Sequence, residues 1–318
     1  MTLKKYIIKR LLTAIPVLLM ISIGAFVMMN LAPGDPTDLY VTPDATPLQV
    51  EATRRALGLD QPYPVQYIRW LTRALQGDLG INYATRYPVL PILVSRIGPT
   101  IVLMGATLVV SYLIAIPLGI LSARKHGTWV DNLLTGGAFV GVSIPNFFLG
   151  LGLIYIFSVQ LSWFPTGGMS QLGGESSFLS VIHHLVLPVT VLSAFYIANM
   201  TRYMRATMIE VYGENYIRTA TAKGLAAEVI LTRHGIRNAL IPVITIIGTD
   251  LPRLVGGAIV TEQIFQWPGL GRLTIMAIQQ REYPMLMAIT MLSAVVVLLA
   301  NLLVDIMYAV VDPRIKFD

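Results

Sequence analysis

Long apolar runs separated by shorter polar segments recur along the whole chain. Six of these runs are long enough to cross a bilayer, because a spanning helix needs about 20 mainly apolar residues. They cover residues 10–31, 99–123, 132–160, 184–203, 238–262 and 284–309. The pattern predicts an all-α membrane protein with six transmembrane helices. We read the first run as a retained helix, since it is too long for a signal peptide and no A-x-A site follows it.

Composition supports this class. The chain is 55% hydrophobic and only 13% charged, whereas soluble domains carry about 25% charged residues. It has no cysteine, which excludes disulfides, iron–sulfur centres and thiol catalysis. The net charge of +6 mostly records topology in a membrane protein, and nothing in the sequence indicates nucleic-acid binding.

The placement of Lys and Arg predicts the orientation of the chain. With the N-terminus inside, the inner segments hold Lys4, Lys5, Lys9, Arg10, Arg124, Lys125, Arg202, Arg205, Arg218, Lys223, Arg233, Arg237, Arg314 and Lys316. The outer loop 161–183 has neither Lys nor Arg. Both termini are therefore expected in the cytoplasm, and the protein in the cytoplasmic membrane.

The long outer segment, residues 32–98, predicts a small unit of two helices. Thr46 is placed to cap the first helix, Pro47 suits its first turn and Gly58 ends it. The second helix follows in residues 64–76, with its apolar side chains on one stripe. Two short helices have too little core to stand alone, so this unit is expected to lean on the ends of the spanning helices.

A second polar interruption, residues 204–240, lies between two predicted spans on the inner side. Its pattern is a helix over Tyr216–Lys223, a break at Gly224 and a second helix over Ala226–Arg233, with Gly235 allowing a bend before the next span. A stretch of this kind can rest on lipid headgroups, simply connect two spans, or dock into a groove of a partner. The pattern leaves these three roles open.

Charged residues near the predicted fifth span are the candidates for a solute path. Asp250 and Arg253 are three positions apart and share a helical face. Because a charge in hydrocarbon costs about 2.5–3.5 kcal/mol, they are expected either to pair with each other or to line a water-filled path. Glu262, at the outer end of this span, is either a path residue or an interfacial carboxylate beside Trp267 in an aromatic belt.

The sequence gives little support to metal binding, membrane hydrolysis, ion-coupled transport or nucleotide binding by this chain. Adjacent His183 and His184 would point about 100° apart on a helix and cannot easily share a metal. The chain has no GxSxG, HExxH or GxGD motif, which counts against a membrane hydrolase, and no repeat symmetry that suggests an ion-coupled carrier. No phosphate-binding loop occurs either, so any nucleotide would be bound by another chain.

Several motifs carry a family resemblance. Residues 218–224, RTATAKG, resemble the EAA loop of ABC importer permeases in the variant found in permeases for peptides, nickel and glutathione. Similar motifs in the same order are LAPGDP (31–36), LGLD (57–60), GDLG (77–80), SIPNF (143–147), FQWPGLGR (265–272), REYP (281–284) and DPRI (312–315). Arg218 stands where the family's EAA loop begins with Glu, a departure typical of the peptide branch.

The resemblance implies the transmembrane domain of a type I ABC importer, in its first, B-type, subunit. It implies an N-terminal helix in residues 1–31, an extracytoplasmic insertion in 32–98 and a core domain in 99–309. The coupling loop is then 204–240 and the tail 310–318.

The resemblance also implies a function, the import of dipeptides or oligopeptides, with nickel chelates or glutathione as the alternative solutes. The implied partners are a second permease, two ATPase subunits, an extracytoplasmic binding protein and membrane lipid. ATP and Mg²⁺ would be bound by the ATPases, and this chain would hold no cofactor or metal and would not be an enzyme. The ATPase-coupling residues implied are Arg218, Thr219, Ala220, Lys223, Gly224, Leu225, Glu228, Val229 and Arg233.

Overall fold

The protein is a bundle of α-helices. The structure, a computed structural model, describes residues 3–31, 35–42, 44–170, 177–250 and 258–311. The helices in these ranges are α1 (Leu3–Leu31), α2 (Pro47–Leu57), α3 (Tyr63–Leu75), α4 (Val89–Arg124), α5 (Trp129–Ser143), α6 (Asn146–Leu153), α7 (Phe178–Gly213), α8 (Asn215–Ala222), α9 (Ala227–Val229), α10 (Arg237–Asp250), α11 (Ile259–Ile264), α12 (Leu270–Gln279) and α13 (Tyr283–Val311).

The predicted all-α membrane fold is confirmed. Within the described residues, four helical segments are each long and apolar enough to cross a membrane: Lys5–Leu31, Val89–Arg124, Phe178–Gly213 and Tyr283–Ile306. A fifth candidate is a bent pair, Trp129–Ser143 with Asn146–Gln160. The predicted span 238–262 falls on α10 and α11, and residues 251–257 between them lie outside the described residues.

The third predicted span, 132–160, is not one straight helix. Its two halves meet at 95°. Ile144 leaves the helical region with φ −82° and ψ 120°, and α6 starts directly after Pro145. A proline has no N–H to donate and disfavours helical geometry in the residue before it, so the helix stops there. The apolar run is continuous in sequence, which is why periodicity alone predicted a single span.

Two spans continue beyond their predicted ends because their extra turns are packed. The first turns of α4 bury Val89 and Leu93 in a cluster with Leu270 of α12 and Met285 of α13. The last turns of α7 bury Met208 and Val211 in a second cluster. Packing against protein, rather than immersion in lipid, thus sets these helix ends.

The helices α4 and α7 approach each other closely at Gly119. A Cβ atom on Gly119 would lie 2.6 Å from Cβ of Met204 and 2.8 Å from the carbonyl oxygen of Thr201. Small residues allow membrane helices to come this near, and dispersion contacts then hold them. The pair α4–α7 is therefore the tightly packed centre of the bundle.

The cap, which we define as residues 35–88, leans on the ends of the spans as expected. Thr46 caps α2 in a capping box and Gly58 ends it with φ 74°, as predicted. The hydroxyls of Tyr67 in α3 and Ser22 in α1 are 2.8 Å apart. The Tyr67 ring also packs edge-on against Phe26 at 5.5 Å.

A buried carboxylate at the start of α13 ties the cap down from the other side. Glu282 accepts the backbone N–H groups of Tyr83 at 2.7 Å and Ala84 at 2.8 Å, and the hydroxyl of Tyr40 at 2.8 Å. Burial raises the pKa of the Tyr40 phenol, and the hydrogen bond to Glu282 raises that pKa further. Burial, then the negative charge of Glu282, likewise raises the pKa of Tyr83. Both phenols therefore stay neutral beside the carboxylate.

Candidate functional site

The candidate site is the insert, which we define as residues 214–236, between α7 and α10. Its first helix, α8, ends where sequence predicted. Gly224 has φ 76°, its N–H donates to the carbonyl of Thr221 at 2.9 Å, and the N–H of Leu225 donates to the carbonyl of Ala220 at 3.3 Å. This is a Schellman motif, which needs a residue that tolerates the left-handed conformation. The predicted break at Gly224 is confirmed.

The second half of the insert is continuous with the next span. After α9 the backbone adopts π-helical geometry over Ile230–Ile236 and passes directly into α10. At Gly235 the helix thus widens without a break. A Cβ atom on Gly235 would sit 3.5 Å from the Ile230 carbonyl oxygen and from Cε of Met208. The insert and α10 are therefore joined by an uninterrupted helical backbone.

Four apolar residues anchor the insert to the bundle. Ile217 and Ala220 from α8 and Ile230 and Leu231 from the π segment are 7%, 6%, 8% and 6% exposed. Their cluster also contains Ala115, Ala123, Met200, Met204, Met208, Val211, Ala239 and Val243. Full burial of a large aliphatic side chain contributes about 1.5–3 kcal/mol. The two halves of the insert are thus fixed to one core formed by α4, α7 and α10.

Between the anchors lies an exposed edge. Every residue from Thr221 to Val229 is exposed, including two large apolar side chains, Leu225 at 41% and Val229 at 39%. Arg218, Thr219 and Arg233 flank it and are exposed too. All the predicted coupling residues except Ala220 therefore lie on one surface that mixes apolar and charged groups. Ala220 is one of the anchors instead.

An ion pair links this edge to the end of α4. A guanidinium nitrogen of Arg124 lies 3.8 Å from a carboxylate oxygen of Glu228, with side chains 48% and 71% exposed. Exposed pairs of this kind contribute about 0–1 kcal/mol. The pair therefore orients α9 and adds little to stability.

A buried polar cluster beside the insert was not anticipated from sequence. Asp131, in the first turn of α5, is 2% exposed. Its carboxylate accepts Nε of Arg205 at 2.6 Å and Nη2 at 2.7 Å, and also the hydroxyl of Ser122 at 2.5 Å and the N–H of Gly127 at 3.0 Å. Nδ1 of His126 lies 3.1 Å away. The cluster joins α4, α5 and α7 where the insert begins, and a lone acid in an apolar helix was its only sequence signal.

The predicted path residues lie in different surroundings. Asp250 is 6% exposed, and its carboxylate accepts the hydroxyl of Tyr112 in α4 at 2.6 Å. Its predicted neighbour Arg253 lies outside the described residues. A role for either residue in a path stays a prediction.

Glu262 is enclosed by the loop that follows it. It is completely buried and accepts the hydroxyl of Thr100 at 3.0 Å and the N–H of Arg272 at 3.1 Å. A Cβ atom on Gly269 would overlap its carboxylate oxygens, so the loop closes over the carboxylate because it has glycine there. A role for Glu262 in a path stays a prediction, and would require this enclosure to open.

Trp267 belongs to the same enclosure and not to an aromatic belt. It is completely buried, and its indole N–H donates to the carbonyl of Pro99 at 2.8 Å. The interfacial interpretation of Trp267 was therefore wrong, because the loop folds inward over α4.

The two adjacent histidines each use a ring nitrogen locally. Nε2 of His183 lies 2.8 Å from the carbonyl oxygen of Trp163, and Nδ1 of His184 lies 2.8 Å from that of Ser180. Among the described residues, no group of three His, Asp or Glu side chains is placed to hold a metal ion.

The fold of this chain matches that of chains in two ABC transporters of known structure. The inward-facing structure of the MetNI methionine ABC transporter matches 70% of this chain and 97% of its own with a TM-score of 0.54 at 16% identity. An amino acid ABC transporter with histidines matches 69% and 94% with a TM-score of 0.53 at 16% identity. At these identities the likeness establishes the fold.

The particular family follows from sequence comparison. Residues 115–317 match the family described as binding-protein-dependent transport system inner membrane component, and residues 3–104 match its N-terminal counterpart. The chain belongs to this family. It is therefore a multi-pass membrane permease component, and the predicted type I importer fold is confirmed.

Three relatives each match 98% of this chain. The oligopeptide transport system permease protein AppB of Bacillus subtilis is 45% identical over 98% of this chain and 99% of that protein. A putative peptide permease of Brucella suis is 42% identical over 98% and 99%. The glutathione transport system permease protein GsiC of Escherichia coli K12 is 39% identical over the same shares.

Proposed function

We propose that this chain is a permease subunit of an ATP-driven importer and moves dipeptides or oligopeptides across the cytoplasmic membrane. The relatives named as oligopeptide and peptide permeases, at 45% and 42% identity over nearly the full chain, support this substrate class. Glutathione is the second candidate, supported by the 39% identical glutathione permease. Glutathione is itself a small peptide, so both candidates share backbone amides and free carboxylates.

The insert is the surface on which ATPase subunits dock. The observation that carries this proposal is the exposed edge Thr221–Val229 held between buried anchors. Its apolar residues Leu225 and Val229 are 41% and 39% exposed, and the anchors on either side attach the edge to the core shared by α7 and α10. Because the edge is exposed and also attached to two spans, a partner bound to it can transmit its own movement to those spans.

The proposed assembly follows from the family. A second homologous permease completes the path, two ATPases bind and hydrolyse ATP with Mg²⁺, and a binding protein delivers solute to the cap side. Both termini lie in the cytoplasm, on the same side as the insert. Closure of the ATPases moves the insert and switches the bundle between inward-open and outward-open states, which is alternating access.

The docking proposal is tested by one charge placed on the exposed edge. Leu225→Asp adds a carboxylate that a partner groove must desolvate, so ATPase subunits should no longer co-purify with the chain in detergent. Leu48→Asp is the matched control, since Leu48 is 81% exposed on α2 of the cap. Leu48→Asp makes the same chemical change on the extracytoplasmic side of the membrane and should leave the complex intact. Equal recovery of ATPases with both variants would refute the docking proposal.

The substrate proposal is tested by transport. The full complex, reconstituted in proteoliposomes with its binding protein and ATP, should accumulate a labelled tripeptide, and excess unlabelled dipeptides and oligopeptides should compete. Competition by glutathione alone would favour the second candidate. Uptake of a nickel chelate with no uptake of peptide would overturn the peptide assignment.

A further inference from the structure

A shallow, open cleft lies on the bundle in the half of α7 nearer the insert. It has a volume of about 380 Å³ and is lined by Thr135, Asn199, Arg202, Tyr203, Arg205 and Ala206. Asn199, Arg202 and Ala206 are spaced three or four apart and form one exposed stripe of α7. Phe139 of α5 is exposed beside them. None of these residues serves the coupling role proposed above.

This surface differs from the part of the same chain that is built to face lipid. From Ile15 to Leu31, every exposed position of α1 is apolar, and only 6% of its spanning window is buried. The α5–α7 surface exposes apolar side chains as well, such as Leu133, Phe139 and Val140 of α5, but beside them it exposes Arg202 and Asn199. Arg202 lies at the inner end of the predicted span 184–203, where a charged side chain reaches water and can line the inner mouth of a water-filled path. The cleft therefore fits the inner mouth of a path.

The two arginines of the cleft have different electrostatic environments. Arg205 is saturated by Asp131, which it contacts through two nitrogens at 2.6 and 2.7 Å. Among the described residues, no carboxylate lies within 4.0 Å of Arg202. Its guanidinium lies 4.7 Å from the centroid of the Phe139 ring. Stacking on an aromatic face orients a guanidinium and leaves its N–H edge for a ligand.

We propose that Arg202 binds a carboxylate of the transported solute in this cleft, with Asn199 as a second donor. One N–H of the Asn199 amide group already donates to the carbonyl of Phe195 at 2.9 Å, which leaves the other N–H available. A guanidinium can form two parallel hydrogen bonds to a carboxylate. The negative charge of Asp131 does not repel the solute because Arg205 neutralises it. This inference rests on the proposed import of peptides and names the residue that recognises them.

The absence of cysteine from the chain allows a direct test of the cleft. Ala206→Cys places one thiol on its wall, and Met20→Cys places a matched thiol on α1, where Met20 is 65% exposed. Charged methanethiosulfonate reagents react only in water. In the full complex, Ala206→Cys should be labelled and Met20→Cys should not, as read from the mass of this chain.

The effect of Arg202 is then measured by comparing the labelling rates of an anionic and a cationic reagent. With Ala206→Cys, the anionic reagent should react faster than the cationic one. Adding Arg202→Gln should lower that ratio roughly three- to tenfold, since one unit charge within a few ångströms is removed. Arg202→Lys should preserve the ratio. The proposal would be overturned if Ala206→Cys were not labelled, or if Arg202→Gln left the ratio of anionic to cationic labelling rates unchanged.

Transport links the cleft to the solute. We compare a tripeptide with its C-terminal amide, choosing a pair that the binding protein retains equally well. Arg202→Gln should lower uptake of the free acid about tenfold and leave uptake of the amide unchanged, whereas Lys5→Gln, a cation removed at the start of α1, should change neither. Equal loss for both peptides would refute carboxylate recognition.

Two further outcomes distinguish failure of the proposed import function from failure of the proposed solute site. If the wild-type complex imports no peptide at all, the proposed function fails before the cleft is tested. If phosphatidylglycerol, compared with phosphatidylcholine, protects Ala206→Cys from labelling and Arg202→Gln abolishes that protection, a lipid phosphate occupies the cleft. That result would overturn the solute proposal while leaving the import function untouched.

Discussion

Asp131→Asn should weaken the bundle at the point where the insert is attached. The change keeps the shape of the side chain but removes its charge. It also turns one acceptor oxygen into an N–H₂ donor that faces the guanidinium of Arg205 or the N–H of Gly127. Those groups lie 2.6–2.7 Å and 3.0 Å from the carboxylate, so the variant brings donor against donor.

The size of the effect follows from burial. Removing one partner of a buried ion pair costs about 3–5 kcal/mol, because the other charge is left uncompensated. Here the Asp131 side chain is 2% exposed but the Arg205 side chain is 24% exposed, so water recovers part of the loss. We expect a cost of about 2 kcal/mol, between the exposed and buried limits.

Thermal unfolding of the purified complex in detergent measures this cost. Asp131→Asn should lower the midpoint by roughly 4–8 °C, and Asp44→Asn, which removes an exposed carboxylate from the cap, should not shift it. The double variant Asp131→Leu with Arg205→Met should cost less than the sum of its two single variants, since no unpaired charge remains. A midpoint for Asp131→Asn within about 1 °C of wild type, or additive effects in the double variant, would show that the pair is not coupled.

Three further changes test the contact between α4 and α7, the loop that covers Glu262 and the attachment of the cap. Gly119→Val should lower the amount of folded chain in membranes, because overpacking costs about 1–3 kcal/mol and the new Cβ would lie 2.6 Å from that of Met204; Gly152→Val, with no atom within 4 Å, should be tolerated. Glu262→Gln should make the loop at residues 265–269 more sensitive to protease, since an amide donor would face the N–H of Arg272; resistance equal to wild type would contradict this. Glu282→Gln should speed hydrogen exchange of the Tyr83 and Ala84 amides about tenfold, as a loss of about 1.4 kcal/mol predicts, with exchange in α4 unchanged; unaltered exchange at both amides would show that Glu282 does not hold the cap.

Sequence reasoning succeeded where a feature is encoded locally. Apolar length revealed the spans, and Gly224 marked the end of α8 because only a few residues tolerate its φ of 76°. It failed where distant residues meet. Asp131 and Arg205 are 74 positions apart, and nothing in the local pattern indicates that Gly269 closes over Glu262. The 95° bend after Ser143 was missed because an apolar run looks the same whether it continues straight or folds back.

The geometry relates the proposed docking surface to the proposed solute cleft. The exposed edge Thr221–Val229 continues in one direction into α10 and follows α7 in the other, and its anchors bury in the core that these helices share. A force on the edge therefore displaces both helices together. Arg202 lies on α7 only about 16 Å from Gly213 along the helix axis. If both proposals hold, a tilt of α7 driven from the insert changes the distance between the α5 and α7 walls of the cleft, and binding of the solute carboxylate follows the ATPase cycle.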